Sequence, residues 1–122
     1  MSDLQRLKVF SYNRCSTCRK ALAWLRDHGL AHDVVDIVQT PPSRELLSEA
    51  RNQFGDRKPL FNTSGQSYRS LGAAAVKAMS DDEALDALAG DGKLIKRPFV
   101  VAIDGQVLVG FKPEIWAESL MN

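Results

Sequence analysis

Two cysteines stand three positions apart in the segment Cys15-Ser16-Thr17-Cys18. This spacing lets two sulfur atoms meet across one helical turn, and such a pair between a strand and a helix is typical of a redox centre. A cysteine that opens a helix lies over backbone N–H groups without helical partners, which lower the pKa of its thiol. Because the thiolate is the nucleophile, we predict that Cys15 attacks and that Cys18 resolves the adduct.

Other interpretations of the two cysteines stay open. A zinc site usually needs four ligands, and the sequence offers only His28 and His32 beside the pair. Cys18 lies on the predicted inner face of its helix and could be a buried core thiol, in which case Cys15 would act with an external thiol. Basic residues at 14, 19 and 20 add positive charge that favours a thiolate in either case.

The composition indicates an ordinary soluble domain, with 44% hydrophobic and 25% charged residues. Its 16 basic and 15 acidic side chains leave a net charge of +1, which gives no broad field to attract nucleic acid or an anionic membrane. The sequence shows no apolar signal segment and no stretch long enough to span a bilayer. We therefore expect a cytoplasmic protein without direct nucleic-acid or membrane partners, in a compartment where structural disulfides are uncommon.

Apolar periodicity and turn residues predict an α/β domain. Strands are predicted at 7–12, 33–38, 99–103 and 106–109, and helices at about 16–28, 44–54, 67–71 and 80–90 and from Pro113 onward. The run at 99–103 is apolar throughout, which favours a strand buried on both faces. Asp104-Gly105 indicates a tight hairpin, and Ser80 with Glu83 indicates a capping box.

The order β-α-β, a helical stretch and then β-β-α is the layout of the thioredoxin-like fold. We predict a single domain over residues 1–122 with a helical insertion at about 44–90. Pro98 opens a predicted buried strand, where a cis peptide bond is common, and in this fold a cis-proline lies beside the reactive cysteine. Arg97 would then lie next to Cys15, where a guanidinium stabilises a thiolate and binds an oxyanion. The alternative is a basic turn on the surface.

Four segments resemble the ArsC/Spx family, which includes glutaredoxin-linked arsenate reductases, the Spx and MgsR regulators and YffB-type proteins. They are Tyr12-Asn13-Arg14-Cys15 followed by Arg19, KPLFNT at 58–63, LIKRP at 94–98 and VGFK at 109–112. The resemblance implies a thioredoxin-like fold with a helical insertion and a reactive Cys15. Arg19 and Arg97 match two arginines of the reductases, and the second of these contacts the oxyanion. Asn62 and Lys112 stand where those reductases carry further arginines.

The resemblance implies two alternative functions. In the first, a thiol-dependent oxidoreductase, Cys15 attacks arsenate or a small oxidised thiol while Arg19 and Arg97 hold the anion. No bound cofactor is expected, because Cys18 or glutathione would resolve the adduct and glutaredoxin or thioredoxin would reset the protein. In the second, a redox-sensing transcription regulator, a Cys15–Cys18 disulfide would alter a surface that binds the C-terminal domain of the RNA polymerase α subunit.

Overall fold

The computed structural model describes residues 6–121, which contain four strands and six α-helices. In chain order they are β1 (Leu7–Ser11), α1 (Ser16–Asp27), β2 (His32–Asp36), α2 (Arg44–Phe54), α3 (Gln66–Leu71), α4 (Ala73–Ala78), α5 (Asp81–Gly90), β3 (Phe99–Val101), β4 (Val107–Val109) and α6 (Pro113–Leu120). Short 3₁₀ turns occupy Lys58–Leu60 and Gly92–Leu94. Among the described residues, no helix is both long and apolar enough to cross a membrane.

The chain divides into two compact units. Of the described residues, 6–36 and 97–121 form the first unit, and 37–96 form the second. The helical insertion predicted at about 44–90 falls within the second unit. The single domain over 1–122 stays a prediction, and its residues 1–5 and 122 lie outside the described part of the chain.

The first unit holds a mixed sheet with the strand order β2-β1-β3-β4. β1 pairs in parallel with β2 and antiparallel with β3, so that Val9 lies opposite both Val34 and Val100. β3 and β4 are antiparallel and close the hairpin predicted at Asp104-Gly105. The β-α-β and β-β-α halves inferred from the sequence are therefore both present, which confirms the α/β class.

Helices α1 and α6 bury apolar side chains with the sheet. Ala21, Leu25 and Trp116 join the buried cluster that Val9 and Val100 form on the central strands. The helical spacing of Cys18, Ala21 and Leu25 places all three on the buried side of α1, as the periodicity predicted. This packing fixes the first turn of α1 at the end of β1.

The third strand is shorter than the apolar run predicted. The backbone N–H of Ala102 already donates to the carbonyl of Gln106 at 2.8 Å, and Gly105 adopts a φ of 91° in the turn. Because the hairpin begins at Ala102, the side chain of Ile103 turns outward and is 52% exposed. The prediction that 99–103 is buried on both faces is therefore wrong at Ile103.

The second unit consists of helices whose ends follow local sequence signals. The hydroxyl of Ser43 accepts the N–H of Leu46 at the start of α2, and Gly55 ends that helix with a φ of 73°. The capping box of Ser80 and Glu83 at the start of α5 is confirmed. Helix α4 was not predicted, although its three consecutive alanines favour a helix.

Candidate active site

The turn between β1 and α1 makes Cys15 the N-cap of α1. Its backbone N–H donates to the carbonyl of Tyr12 at 3.0 Å, and its Sγ accepts the backbone N–H of Cys18 at 3.3 Å. The sulfur thus fills the place that a serine or aspartate oxygen usually takes at a helix start. A negative charge on this sulfur is stabilised by the N-terminal end of the helix dipole.

Cys15 is half-buried, and burial alone would raise the pKa of its thiol. Hydrogen bonds from the side chain and the backbone N–H of Cys18 act in the opposite direction, as do the charge and a hydrogen bond of Arg97. These contacts outweigh burial and hold the pKa of Cys15 below its ordinary value. Cys15 therefore carries more thiolate at neutral pH than a cysteine in water does.

Cys18 is 0% exposed, and burial raises the pKa of its thiol to about 11. The hydrogen bond that Cys18 gives to Cys15 also raises this pKa. Hydrogen bonds from the backbone of Tyr12 and the side chain of Ser11 lower it in part. Cys18 is buried, as the core-thiol interpretation expects, but its hydrogen bond to Cys15 joins it to the reactive group.

Arg97 lies next to Cys15 in the first unit. The Arg97–Pro98 peptide bond is cis, as the sequence predicts, and the guanidinium interacts with the Cys15 sulfur through charge and a hydrogen bond. Its Cζ atom lies 4.9 Å from the centroid of the Tyr12 ring, which is a cation–π distance. Arg97 is half-buried, so the alternative of a basic turn on the surface does not describe it.

Arg19 contacts the turn that leads to Cys15, and its predicted role in holding an anion stays a prediction. Its guanidinium donates to the backbone carbonyl of Asn13 at 2.9 Å, and the side chain is exposed on α1. This bond supports the turn that precedes Cys15. The structure therefore brings Cys15, Cys18 and Arg97 together, with Arg19 supporting the turn that leads to them.

Two residues of the site were missed by sequence reasoning. Ser11 contacts Cys18, and the ring of Tyr12 contacts Arg97. A serine that ends an otherwise apolar strand is a weak signal for Ser11, because a buried hydroxyl needs a partner.

Within residues 6–121, no three His, Cys, Asp or Glu side chains form a group that could hold a metal ion.

The unequal thiols predict selective alkylation. We expect iodoacetamide at neutral pH to modify Cys15 and to leave Cys18 unmodified, because only Cys15 combines an accessible sulfur with a lowered pKa. The alkylation rate of Cys15 should rise with pH, and the pH at which it reaches half of its maximum should lie below the ordinary pKa of a cysteine. Peptide mass spectrometry over a pH series measures both quantities, with urea-unfolded protein as the control in which both cysteines react. Equal labelling of the two cysteines in the folded protein would contradict the assignment.

The fold and the site together define a thioredoxin-like protein with a CxxC pair at the start of its first helix. The chain belongs to the ArsC family, whose family model matches residues 10–119. The resemblance inferred from the four sequence segments is thereby confirmed.

Several relatives cover most of this chain. It is 44% identical over 116 residues to the uncharacterized protein YusI of Bacillus subtilis, which covers 93% of this chain and 97% of YusI. It is 32% identical over 106 residues to an arsenate reductase of Neisseria meningitidis, covering 85% of this chain and 89% of that protein. The regulatory protein MgsR of Bacillus subtilis is 26% identical over 110 residues, covering 89% of this chain and 86% of MgsR.

A solved structure supports the same fold. The crystal structure of a possible arsenate reductase from Streptococcus mutans UA159 aligns with a TM-score of 0.81 at 42% identity. The alignment covers 87% of this chain and 91% of that one. The fold class inferred from the order of elements is therefore confirmed.

Proposed function

We propose that this protein is a thiol-dependent oxidoreductase in which Cys15 is the nucleophile and Cys18 or an external thiol is the resolver. The observation that carries this proposal is the inequality of the two thiols. Cys15 is accessible with a lowered pKa, whereas Cys18 is fully buried with a pKa of about 11. Such a pair supplies an attacking thiol and a resolving thiol, because the accessible thiolate attacks first and the buried thiol stays protonated until its neighbour has reacted.

With a disulfide substrate R–S–S–R′, the Cys15 thiolate forms a bond to one sulfur and R′–S⁻ departs and takes up a proton. Cys18 loses its proton and attacks the Cys15 sulfur, which releases R–S⁻ and forms the Cys15–Cys18 disulfide. The substrate is reduced by two electrons, and the two cysteines are oxidised by two. Glutathione with glutaredoxin, or thioredoxin, would return these electrons in the cytoplasm.

With arsenate, the Cys15 thiolate displaces hydroxide from arsenic(V) and forms a sulfur–arsenic bond. A second thiol then attacks the Cys15 sulfur, and the electron pair of the broken bond stays on arsenic as arsenic(III). The guanidinium of Arg97 lies next to this sulfur and suits the negative oxygens of the anion. The arsenate reductase of Neisseria meningitidis among the relatives supports this substrate class.

Turnover by the purified protein tests the proposal. Arsenate and hydroxyethyl disulfide would each be supplied with glutathione plus glutaredoxin and, separately, with a thioredoxin system. We expect NADPH consumption that depends on the protein with at least one combination of substrate and donor. The Cys18→Ser variant separates the two resolvers, since it retains turnover only if glutathione resolves the adduct. Wild-type protein that turns over neither substrate with either donor would overturn the proposal.

Removing the guanidinium of Arg97 should affect an anionic substrate most. In Arg97→Ala we expect the pKa of Cys15 to rise, because both a positive charge and a hydrogen bond are lost. For arsenate, kcat/KM should fall about 10- to 100-fold, the usual value of a hydrogen bond between charged groups. For a neutral disulfide it should fall less.

The Arg97→Lys variant is the matched control. It keeps the positive charge but loses the planar fork, so the pKa of Cys15 should recover more than the affinity for arsenate. The pH dependence of alkylation and the steady-state kinetics with both substrates measure the two effects. If kcat/KM falls equally for arsenate and for the neutral disulfide, Arg97 stabilises the Cys15 thiolate but does not bind the anion.

A second function is favoured by the presence of Cys18 beside Cys15. We propose as the alternative that oxidation of this pair to a disulfide switches binding to the C-terminal domain of the RNA polymerase α subunit. The regulatory protein MgsR among the relatives supports this possibility. Binding of that domain by the reduced and the oxidised protein can be compared by titration calorimetry. Capture in one redox state only would favour the regulator, and no binding in either state would exclude it.

A further inference from the structure

We propose that Ser11 is a positioning residue whose hydroxyl group stabilises the thiolate of Cys18 during the resolving attack. The inference rests on the proposed function, because it assigns a role within the second step of that reaction. It concerns a residue that lies outside the cysteine pair and outside the basic side chains around it.

The position of Ser11 in the sheet carries the first part of the argument. It is the last residue of β1, at the end from which the chain turns into α1. Ser11 is 6% exposed, and it is the only buried polar residue in the described part of the chain. Because the side chains of a strand alternate, Ser11 lies on the same face of β1 as Val9, which shares a buried cluster with Ala21 of α1. Cys18 lies on this buried side of α1, and the hydroxyl of Ser11 gives its sulfur a hydrogen bond that satisfies a buried polar group.

The hydrogen bonds form a short chain that ends at the nucleophile. The hydroxyl of Ser11 donates to the sulfur of Cys18, and Cys18 in turn donates its own S–H to Cys15. The backbone N–H of Tyr12 is a second donor to the Cys18 sulfur. Before the reaction, the S–H of Cys18 stabilises the negative charge on Cys15, whereas Ser11 contacts only the Cys18 sulfur.

The same contacts change their role after the first attack. Once Cys15 is bound to a substrate group R through sulfur, its charge is gone and Cys18 must become the thiolate. Cys18 is 0% exposed, so water cannot solvate that charge. The described donors to the Cys18 sulfur are the hydroxyl of Ser11 and the backbone N–H of Tyr12. Of these two, only the hydroxyl can be removed by substitution without altering the backbone.

The route of the proton also involves Ser11. Ser11 lines a surface cavity of about 320 Å³ together with Asn13, Leu22, Val34 and Asp36. Once Cys15 has lost its charge, the oxygen of Ser11 can accept the proton of Cys18 while the hydroxyl proton passes to water in the cavity, and the hydroxyl then donates to the Cys18 thiolate. The Cys18 thiolate then attacks the Cys15 sulfur, the bond between Cys15 and R–S breaks, and R–S⁻ departs and takes up a proton. The net change is one new disulfide and one released thiol.

Dithiobisnitrobenzoate separates the two steps in the intact protein. The attack by Cys15 releases a first equivalent of coloured thionitrobenzoate, and the attack by Cys18 releases a second. In Ser11→Ala we expect the first phase to stay within about twofold of the wild-type rate and the second to slow by about three- to tenfold. Loss of one hydrogen bond to a charged sulfur lowers the thiolate population by about tenfold. The greater nucleophilicity of a more basic sulfur offsets part of this loss.

A pH series distinguishes this role from a general disturbance of the site. The rate of the second phase should rise with pH up to the pKa of Cys18, and this break should lie at higher pH in Ser11→Ala. Ser11→Thr keeps the hydroxyl on a residue that strands accept, so it should restore both the rate and the position of the break.

The outcomes are distinguishable. Equal slowing of both phases in Ser11→Ala, or an unchanged second phase, would overturn the role of Ser11. A second phase that persists in Cys18→Ser would also overturn it, while leaving Cys15 with an external resolver as proposed above. Failure of the first phase in the wild-type protein would instead overturn the proposed function itself.

Discussion

Replacing Cys15 by serine is expected to reduce turnover of disulfide and arsenate substrates to the rate measured without protein. The hydroxyl of serine is far less acidic than a thiol, so the local donors that lower the pKa of Cys15 cannot make it an effective nucleophile at neutral pH. Steady-state assays with both substrates measure the loss. The matched control is Cys18→Ser, which should retain the first attack on dithiobisnitrobenzoate. Wild-type turnover in Cys15→Ser would contradict the assignment of the nucleophile.

The same variant also has a readout that does not depend on activity. The hydrogen bond to Cys15 and the negative charge of Cys15 help to raise the pKa of Cys18 to about 11, together with burial. Removing the thiolate should therefore lower the pKa of Cys18, which stays above the ordinary value because the site remains buried. Thiol absorbance in the ultraviolet, followed over a pH series, measures this change. An unchanged pKa would mean that Cys15 does not contribute to the acidity of Cys18.

Replacing Gly92 by alanine is expected to destabilise the protein by roughly 3 kcal/mol or more. Gly92 is buried in the second unit, and a Cβ atom added there would lie 1.8 Å from the carbonyl oxygen of Ile37 and 3.1 Å from the Cα of Val38. Overpacking a buried position costs about 1–3 kcal/mol when side chains can shift. Here the nearest atoms belong to the backbone, so relief requires the chain itself to move. Urea unfolding measures the change in the free energy of unfolding.

Gly90 provides the matched control, two residues earlier at the end of α5. A Cβ atom at Gly90 meets nothing within 4 Å. Alanine is a better helix former than glycine by up to about 1 kcal/mol, so Gly90→Ala should be neutral or slightly stabilising. Equal stability of the two variants would show that the backbone at Gly92 can move away from Ile37 without cost.

The features that the sequence predicted well depend on neighbouring residues. Cys15 opens α1 because the chain turns there after an apolar strand, and the spacing to Cys18 places the second thiol one helical turn away. Ser43 and Gly55 bound α2 for reasons of hydrogen bonding and backbone geometry that act within a few residues. All the residues that take part in such a signal lie within a few positions of one another, so the signal can be recognised without knowledge of the rest of the fold.

Other features depend on where the sheet brings distant segments. The predicted cis-proline of a thioredoxin-like fold suggested that Arg97 lies beside Cys15, but the contact of Arg97 with the Tyr12 ring came only from the structure. The anion-holding role of Arg19, implied by the resemblance to the reductases, stays a prediction, and only the structure showed that its guanidinium donates to the carbonyl of Asn13. The outward turn of Ile103 depended on the residue at which the hairpin closes, which an apolar run does not reveal.

The sequence by itself determined the spacing of the cysteine pair, the start of its helix and the α/β class, because spacing, capping and periodicity are local properties of a chain. Only the tertiary structure decided how acidic each thiol is. The pKa values of Cys15 and Cys18 depend on burial and on donors contributed by Ser11, Tyr12 and Arg97. Burial and such donors arise when β1, α1 and the start of β3 pack together, and no window of the sequence contains all three.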